Sequence, residues 1–312
     1  MTSYWQDAHR TIYNKSCLDM SELQGESVQC CVTSPPYWGL RKYAGEQTVH
    51  FNDGDYSFGL EPSPEIYIAH SIQILREIRR VLRKDGVVFW NIGDSYASGF
   101  STSDNKYKAM SGHEPCMKFN SGVKPKDLCL IPFRIAIAAQ TDGWYVRSVI
   151  IWSKPNPMPE SVRDRPTESH EYILMLTKSS RYFWDMEAVK EDCLTEERTK
   201  LRPNGIGTDK STGGFNCDSG CGVNASGRNL RSVWTINTQP YSGAHFATYP
   251  EELVERCVKA ASFTGSTILD PFMGSGTTLK VAAKLGRKAI GYDISEEYCK
   301  LAIERNRQAV LV

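Results

Sequence analysis

Short apolar runs alternate with amphipathic segments along most of this chain. Turn residues bound the apolar runs, which predicts buried strands near 12–17, 28–33, 86–92, 145–152, 171–178, 266–270 and 288–293. Helical periodicity predicts helices at 64–83, 129–140, 250–262, 276–285 and 295–308. Strands that alternate with helices predict an α/β fold whose mainly parallel sheet carries helices on both faces. Ligands of such sheets bind at the carboxyl ends of the strands.

The composition is that of an ordinary globular protein. Its 312 residues can bury a large core, and no stretch approaches the roughly 18 consecutive apolar residues of a membrane span. The first ten residues, MTSYWQDAHR, lack the charged and then apolar pattern of a signal peptide. We therefore expect a cytoplasmic protein without a membrane partner.

The ten cysteines do not form a disulfide or zinc pattern. Several lie inside apolar runs and are expected to be reduced core residues: Cys30, Cys31, Cys129 and Cys257. Cys193, Cys217 and Cys221 suggest zinc, but they lack two close pairs and no histidine lies within 190–231. We predict no metal site.

One motif with cofactor chemistry follows the predicted strand at 266–270. The segment Asp270-Pro-Phe-Met-Gly-Ser-Gly-Thr-Thr278 places an acid and then two glycines before a helix, whose first N–H groups are unpaired. The next strand ends at Asp293, where a carboxylate can accept hydrogen bonds from two ribose hydroxyls. This pairing favours a nucleotide-like cofactor, with a simple tight turn as the alternative. A dinucleotide is disfavoured because the spacing is GSG instead of GxGxxG.

A second motif, Ser34-Pro-Pro-Tyr37, follows the predicted strand at 28–33. Two prolines stiffen the backbone and remove two N–H donors, so the turn offers acceptors. The Ser34 hydroxyl and the Pro35 carbonyl could accept the two hydrogens of a base amino group and aim its lone pair at a methyl donor. Tyr37 could stack on a base rotated out of the duplex. A Pro-Pro turn with a packed tyrosine is the alternative.

Taken together, TSPPYW and the later DPFMGSGTT resemble the amino-methylating DNA methyltransferases of the β group, in which the catalytic motif precedes the cofactor motif. Three further segments resemble the family: NIGDSY from Asn91, KPNPMPESVRDRPTESHEYI from Lys154 and HFATYP from His245. The resemblance covers most of residues 12–308 except two polar inserts. It implies a seven-stranded, Rossmann-like methyltransferase sheet and S-adenosylmethionine as the cofactor.

The resemblance also implies roles for individual residues. The catalytic residues would be Ser34, Pro35, Pro36 and Tyr37. The cofactor-binding residues would be Asp270, Phe272, Gly274, Gly276, Thr278 and Asp293, with a contribution from the HFATYP segment. One departure concerns the cofactor's adenine. Many relatives carry Gly-Asp where this chain has Lys15-Ser16, so the adenine contact is left open between Ser16 and Asp19.

Serine at the first motif position resembles the cytosine-N4 enzymes, whereas adenine-N6 enzymes more often carry aspartate there. The predicted activity is therefore methyl transfer to cytosine N4 in duplex DNA after base flipping, with adenine N6 as the alternative. Glu114-Pro-Cys116 is interpreted as incidental, because the Glu-Asn-Val that accompanies the Pro-Cys nucleophile of cytosine-C5 enzymes is absent.

Double-stranded DNA is the predicted partner, although the net charge is only +1. Basic residues gather in two Gly/Ser/Asn-rich stretches, 101–126 and 198–231. We predict a catalytic part at 1–185, a target-recognition insert at 186–232 and a cofactor-binding part at 233–312. The candidate DNA contacts are Arg228 and Arg231 in the insert and Trp38 beside the catalytic motif.

Two other classes of function compete with this one. A DNA-binding protein without catalysis would need neither SPPY nor GSG, and the long polar insert favours DNA over RNA or a small molecule as the substrate. A restriction endonuclease partner and a dimer are compatible with the sequence, which does not decide either.

Overall fold

The computed structural model describes residues 3–39, 48–97, 122–191, 227–239 and 249–308. The strands among these residues are β1 (Trp5–Gln6), β2 (Arg10–Asn14), β3 (Val28–Thr33), β4 (Val49–Phe51), β5 (Gly54–Tyr56), β6 (Leu82–Ile92), β7 (Tyr145–Ser153), β8 (His170–Thr177), β9 (Val233–Thr235), β10 (Thr267–Asp270) and β11 (Lys288–Asp293). The helices are α1 (Pro64–Val81), α2 (Ile131–Thr141), α3 (Glu251–Ala261), α4 (Thr277–Lys284) and α5 (Glu296–Gln308), with a short 3₁₀ turn at Glu187–Val189.

Within the described ranges, the main sheet has the strand order β1-β2-β11-β10-β3-β6-β8-β7-β9, and β4 pairs with β5 in a separate hairpin. The pairings make β1 and β8 antiparallel to the other strands of the sheet. The predicted mainly parallel α/β fold is confirmed. The expected count of seven strands is corrected to nine, because two- and three-residue strands at the two sheet edges are too short to show a sequence period.

The first long strand begins and ends earlier than predicted, at Arg10–Asn14 instead of 12–17. The Asn14 side-chain amide donates to the carbonyls of Asp293 and Ile294 at 3.0 and 3.1 Å. This contact joins the end of β2 to the end of β11 at the turn that follows.

Helices cover both faces of the sheet, so its central strands are apolar on both sides. Every residue of β3 is buried: Cys31 faces a cluster that includes α1 and α2, while Cys30 and Val32 face α3, α4 and α5. This two-sided burial explains the continuous apolar runs of the sequence. The six described cysteines are all buried thiols, which confirms the core role predicted for four of them.

The longest of these helices is well specified by its sequence. The Ser63 hydroxyl accepts a hydrogen bond from the Ile66 amide, Pro64 occupies the first turn, and Arg79 and Arg80 lie in the last turn. These are the residues that stabilise helix ends. The helix buries Tyr67 and His70, and Tyr67 reaches the segment that follows β3 through the Pro36 carbonyl.

Four adjacent strands bring the predicted motifs to one edge of the sheet. β11, β10, β3 and β6 are parallel neighbours, so their carboxyl ends, at Asp293, Asp270, Thr33 and Ile92, lie side by side. β8 is antiparallel to β6, and its amino end reaches the same edge. None of the helices among the described residues is long and apolar enough to cross a membrane.

Candidate active site

The SPPY segment follows β3 and is fixed by contacts of Pro36 with α1 and with Gly59. The Tyr67 hydroxyl donates to the Pro36 carbonyl at 2.8 Å. Gly59 has φ +94°, and a Cβ there would lie 3.0 Å from the Pro36 Cβ, so glycine permits a close approach of the two segments. The Pro36 carbonyl is therefore engaged within the chain, which leaves the acceptor role proposed for this turn to the Ser34 hydroxyl and the Pro35 carbonyl.

Tyr37 lies at the centre of a hydrogen-bonded cluster. Its hydroxyl donates to Glu171 Oε2 at 2.6 Å and lies 3.1 Å from Ser34 Oγ. The Asn91 amide donates to the Tyr37 hydroxyl at 2.7 Å and to Glu171 Oε2 at 2.8 Å, and its nitrogen lies 3.3 Å from Ser34 Oγ. A Cβ on Gly93 would approach the Tyr37 ring to 3.0 Å, so the ring packs directly on that backbone.

Glu171 lies in the segment from Lys154 that resembles the family, but no role was predicted for it from the sequence. It lies near the start of β8 and pairs through Oε1 with the Lys154 ammonium, which in turn lies 4.6 Å from the centre of the Trp152 ring. The two charged side chains are only 16% and 18% exposed. The cluster around Tyr37 therefore contains a partly buried carboxylate paired with a partly buried ammonium.

A buried acid and histidine support the backbone behind the motif. The Trp38 indole donates to the Glu61 carbonyl at 2.9 Å, and Glu61 Oε2 accepts from the Gly59 amide at 2.9 Å. His70 bonds Glu61 at 3.0 Å and Asp53 at 2.8 Å. Burial raises the pKa of Glu61, while its hydrogen bond with His70 lowers it. The loop is thus anchored to α1 through paired polar groups instead of unpaired ones.

Trp38 itself is 4% exposed and packs in the core. This burial does not favour the DNA contact predicted for it, which stays a prediction. Its position in the structure matches the default core role of a tryptophan at a strand end.

Asp270 joins the end of β3 to the turn that follows β10. It is buried, and its carboxylate accepts hydrogen bonds from Thr33 Oγ1 at 2.8 Å, Thr278 Oγ1 at 2.7 Å, Tyr249 OH at 2.8 Å and the Phe272 amide at 3.1 Å. The Tyr249 and Thr278 hydroxyl oxygens also lie within hydrogen-bond distance of each other. Burial raises the pKa of Asp270, and these donors oppose that rise. The carboxylate is therefore used to shape the loop, and the cofactor contact expected of Asp270 and Thr278 stays a prediction.

The two glycines of the GSG turn do different work. Gly274 has φ +47°, and a Cβ there would meet no described atom within 4 Å, so this glycine borders open space. Gly276 has φ +76° and caps α4, and a Cβ there would lie 2.7 Å from Asn306 Nδ2 and 3.0 Å from Ala302 Cβ on α5. The expected close approach of a ligand thus fits Gly274, whereas Gly276 is required for helix packing.

Asp293 ends β11 beside Gly274. Its carboxylate accepts from the Gly274 amide at 3.1 Å and from the Ser295 amide at 2.9 Å. Burial raises the pKa of Asp293 to about 7, and the two amide bonds reduce that rise. Each carboxylate oxygen can accept more than one hydrogen bond, so capacity for hydroxyl donors is left.

Two acids of the segment after β2 are paired within the chain: Glu22, whose side chain is 7% exposed, bonds Lys15 at 3.0 Å and accepts from the Tyr292 hydroxyl at 2.6 Å. The Asp19 side chain is 59% exposed and bonds Lys15 at 2.9 Å, a contact that lowers the pKa of Asp19 to about 2. Ser16 Oγ accepts from the Leu18 amide at 3.3 Å. Phe272 lies nearer the cofactor turn, with its ring stacked on Phe58 at 5.6 Å between centroids. The adenine contact stays open.

The two predicted arginines of the insert share one acid. Arg228 Nε and Arg231 Nε lie 3.1 and 2.8 Å from Glu191 Oε2, and the Arg231 side chain is 63% exposed. Residues 192–226 of the insert, most of the 101–126 stretch, residues 245–248 of HFATYP and the three cysteines considered for zinc lie outside the described residues. The domain boundaries stay a prediction; β9 and β10, from residues 233–312, lie in the same sheet as the strands of residues 1–185.

Comparison with known proteins identifies the family. The N6/N4 DNA methylase family model matches residues 28–304. The chain is 43% identical to the type II methyltransferase M.SmaI of Serratia marcescens over 288 residues, which cover 91% of this chain and 85% of that protein. It is 41% identical to the type II methyltransferase M.Cfr9I of Citrobacter freundii over 292 residues, which cover 92% and 83%.

Solved structures share the fold. The PvuII cytosine-N4-specific DNA methyltransferase superposes with a TM-score of 0.66 at 17% identity, over 99% of this chain and 92% of that one. A putative DNA modification methylase of Thermus thermophilus, solved with S-adenosyl-L-methionine, has a TM-score of 0.59 at 25% identity over 97% and 96%. The sequence matches, the nine-stranded sheet and the motifs at its edge lead to one conclusion: this chain belongs to the N6/N4 family of DNA methylases.

Proposed function

We propose that this protein transfers a methyl group from S-adenosylmethionine to N4 of cytosine in duplex DNA. The observation that carries the proposal is the position of Ser34 and Tyr37 at the end of β3, beside the Gly274 and Asp293 turn on the neighbouring strands. A site for a base amino group and a site for a nucleotide cofactor therefore share one sheet edge.

The residues of the cofactor turn fit S-adenosylmethionine. Gly274 borders open space, and the Asp293 carboxylate beside it can accept ribose hydroxyls. Phe272 is partly buried and could contact the adenine ring. When bound, the cofactor supplies an electrophilic methyl group on a sulfonium, which requires no metal and no covalent enzyme intermediate.

The chain's own residues orient the acceptor amine. The Ser34 hydroxyl and the Pro35 carbonyl accept its two hydrogens, which turns the nitrogen lone pair toward the methyl group. Tyr37 stacks on the flipped base, since a base inside the duplex cannot reach the edge of the sheet. Asp270 holds the two motifs at a constant spacing through its bonds to Thr33 and Thr278.

Ser34 favours cytosine N4, because it resembles the serine of the cytosine-N4 enzymes. Adenine N6 is the alternative. Target recognition is assigned to the insert at 186–232, with Arg228 and Arg231 as contacts, and a restriction endonuclease partner and dimerisation stay predictions.

The test is nucleoside mass spectrometry of DNA from cells that express the protein. We expect N4-methylcytosine. N6-methyladenine in its place would support the alternative. The absence of both methylated nucleosides would contradict the proposal. Ser34→Ala should lower the single-turnover rate by about 10²-fold or more, because it removes an acceptor used in the transition state. Ser27→Ala is the matched control, since Ser27 is exposed at the opposite end of β3.

A further inference from the structure

The hydrogen bonds around Tyr37 have a direction that follows from their partners. A tyrosine hydroxyl has a single proton, and at 2.6 Å from Glu171 Oε2 that proton is donated to the carboxylate. The 3.1 Å bond between Tyr37 and Ser34 must then be donated by Ser34. The Asn91 amide, 2.7 Å from the Tyr37 oxygen, is likewise a donor to it.

This direction makes Ser34 an acceptor toward the site. With its proton committed to Tyr37, the Ser34 oxygen has two lone pairs, of which one lies toward the Asn91 amide nitrogen at 3.3 Å and the other is left for another donor. A base amino group is such a donor, whereas a serine free to rotate could also present its proton and repel it. The carboxylate of Glu171 is thus the group that sets the polarity of the chain Ser34, Tyr37, Glu171.

We propose that Glu171 is a positioning residue for methyl transfer, which orients the Ser34 hydroxyl as an acceptor through Tyr37 and receives the proton released by the methylated amine. This inference rests on the proposed function and assigns a role to a residue outside the two sequence motifs.

The proton balance supports the second part of the role. When the methyl carbon leaves the sulfonium sulfur and bonds the amine, the C–S electron pair stays on sulfur and the positive charge moves to the nitrogen. One N–H proton passes to Ser34 Oγ as the Ser34 proton passes to Tyr37 and the Tyr37 proton to Glu171. The sulfonium and carboxylate charges end as a neutral thioether and a neutral carboxyl group.

The transfer is downhill, because a protonated exocyclic amine regains conjugation with the ring when it loses a proton and is therefore a far stronger acid than a carboxylic acid. Lys154 balances the charge of Glu171 before the reaction. Among the described residues, the charged or titratable side chains within hydrogen-bond distance of the Glu171 carboxylate are Tyr37 and Lys154.

The test compares Glu171→Gln with Glu168→Gln, a nearby carboxylate that pairs with His170. In single-turnover assays with duplex DNA we expect Glu171→Gln to lose about 10²-fold in rate, with affinities for S-adenosylmethionine and DNA within about threefold of the parent by calorimetry. Tyr37→Phe keeps the ring but breaks the chain, so it should lose a similar factor. The double variant Glu171→Gln/Tyr37→Phe should be no slower than either single variant, since both substitutions interrupt the same proton pathway.

Chemical rescue separates this role from a structural one. Added formate should restore part of the rate of Glu171→Ala and none of that of Tyr37→Phe. Rates of Glu171→Gln and Tyr37→Phe both within about threefold of Glu168→Gln would overturn the proposal. If Glu171→Gln does not fold, the rate of Tyr37→Phe alone is compared with that of Glu168→Gln, and a rate within about threefold overturns the proposal. A parent enzyme that binds cofactor and DNA but transfers no methyl group would instead contradict the proposed function, and with it the role of Glu171 in that reaction.

Discussion

The pKa of Asp293 gives a quantitative test of the cofactor site. With a pKa of about 7, this carboxyl is about half ionised at pH 7 and only about 3% ionised at pH 5.5. If ribose hydroxyls bind the ionised form, the apparent affinity for S-adenosylmethionine scales with that fraction. We therefore expect affinity to rise about 15-fold from pH 5.5 to pH 7. The α-amino group of S-adenosylmethionine adds little to this pH dependence, because a free α-amino group, with a pKa of about 7.7–8.0, stays mostly protonated in this range.

Isothermal titration calorimetry of the parent and of Asp293→Asn across this range measures the effect. The variant should bind more weakly at pH 7, by about 10-fold or more, and its affinity should change little with pH because it cannot ionise. If the affinities of the two proteins for S-adenosylmethionine changed equally with pH, the role of Asp293 in binding the ribose hydroxyls would be refuted. A parent affinity that is constant from pH 5.5 to pH 7 and well above that of Asp293→Asn would instead show that the carboxyl is already ionised and is not desolvated as the structure indicates.

The same linkage predicts the stability of the cofactor-free protein. The folded-state pKa of Asp293 lies above the usual 3.8, so protonation favours the folded state. The stability that this group contributes is present below about pH 4 and is lost as pH rises to about 7. The midpoint of thermal unfolding at pH 8 should therefore be higher for Asp293→Asn than for the parent in the absence of cofactor.

Two further predictions concern packing and DNA. Gly276→Ala should lower the free energy of unfolding in guanidinium by about 2–4 kcal/mol, because its Cβ would collide with Asn306 and Ala302. Gly274→Ala, at a similar positive φ but without a collision, should lower it by about 1 kcal/mol. Equal losses in the two variants would exclude the packing role of Gly276. Arg231→Ala should weaken binding to all duplex sequences and reduce the slope of log affinity against log salt by about 0.9 if it contacts a phosphate, and a change of preference at one base pair would show a guanine contact instead.

Much of the fold could be predicted from the sequence because the central strands are buried on both faces. Cys30 and Val32 face one helical layer and Cys31 the other, so the run VQCCV shows strand length directly. The short strands β1, β4, β5 and β9 could not be predicted, since three residues or fewer carry no measurable period. The motif residues at strand ends were placed by the parallel topology alone.

Glu171 lies in a segment that resembles the family, yet no role was predicted for it from the sequence, and the reason is strand direction. Ligands of such sheets are expected at the carboxyl ends of parallel strands, whereas β8 places Glu171 at the amino end of an antiparallel strand. The distinct roles of Gly274 and Gly276 also required the structure, because only the position of α5 shows which glycine lacks room for a side chain. Local sequence cannot report such distant neighbours.

The pairing of β3 with β10 has a consequence for how the molecule is made. These central strands place Cys30 opposite Ile268, and Thr33 reaches Asp270 across 237 positions of the chain. During translation β2 and β3 leave the ribosome long before β10 and β11, which fill the gap between them, so the sheet cannot close until most of the polypeptide has been synthesised. Until then two apolar strand edges lack their partners, and nascent chains should depend on chaperones to avoid edge-to-edge association.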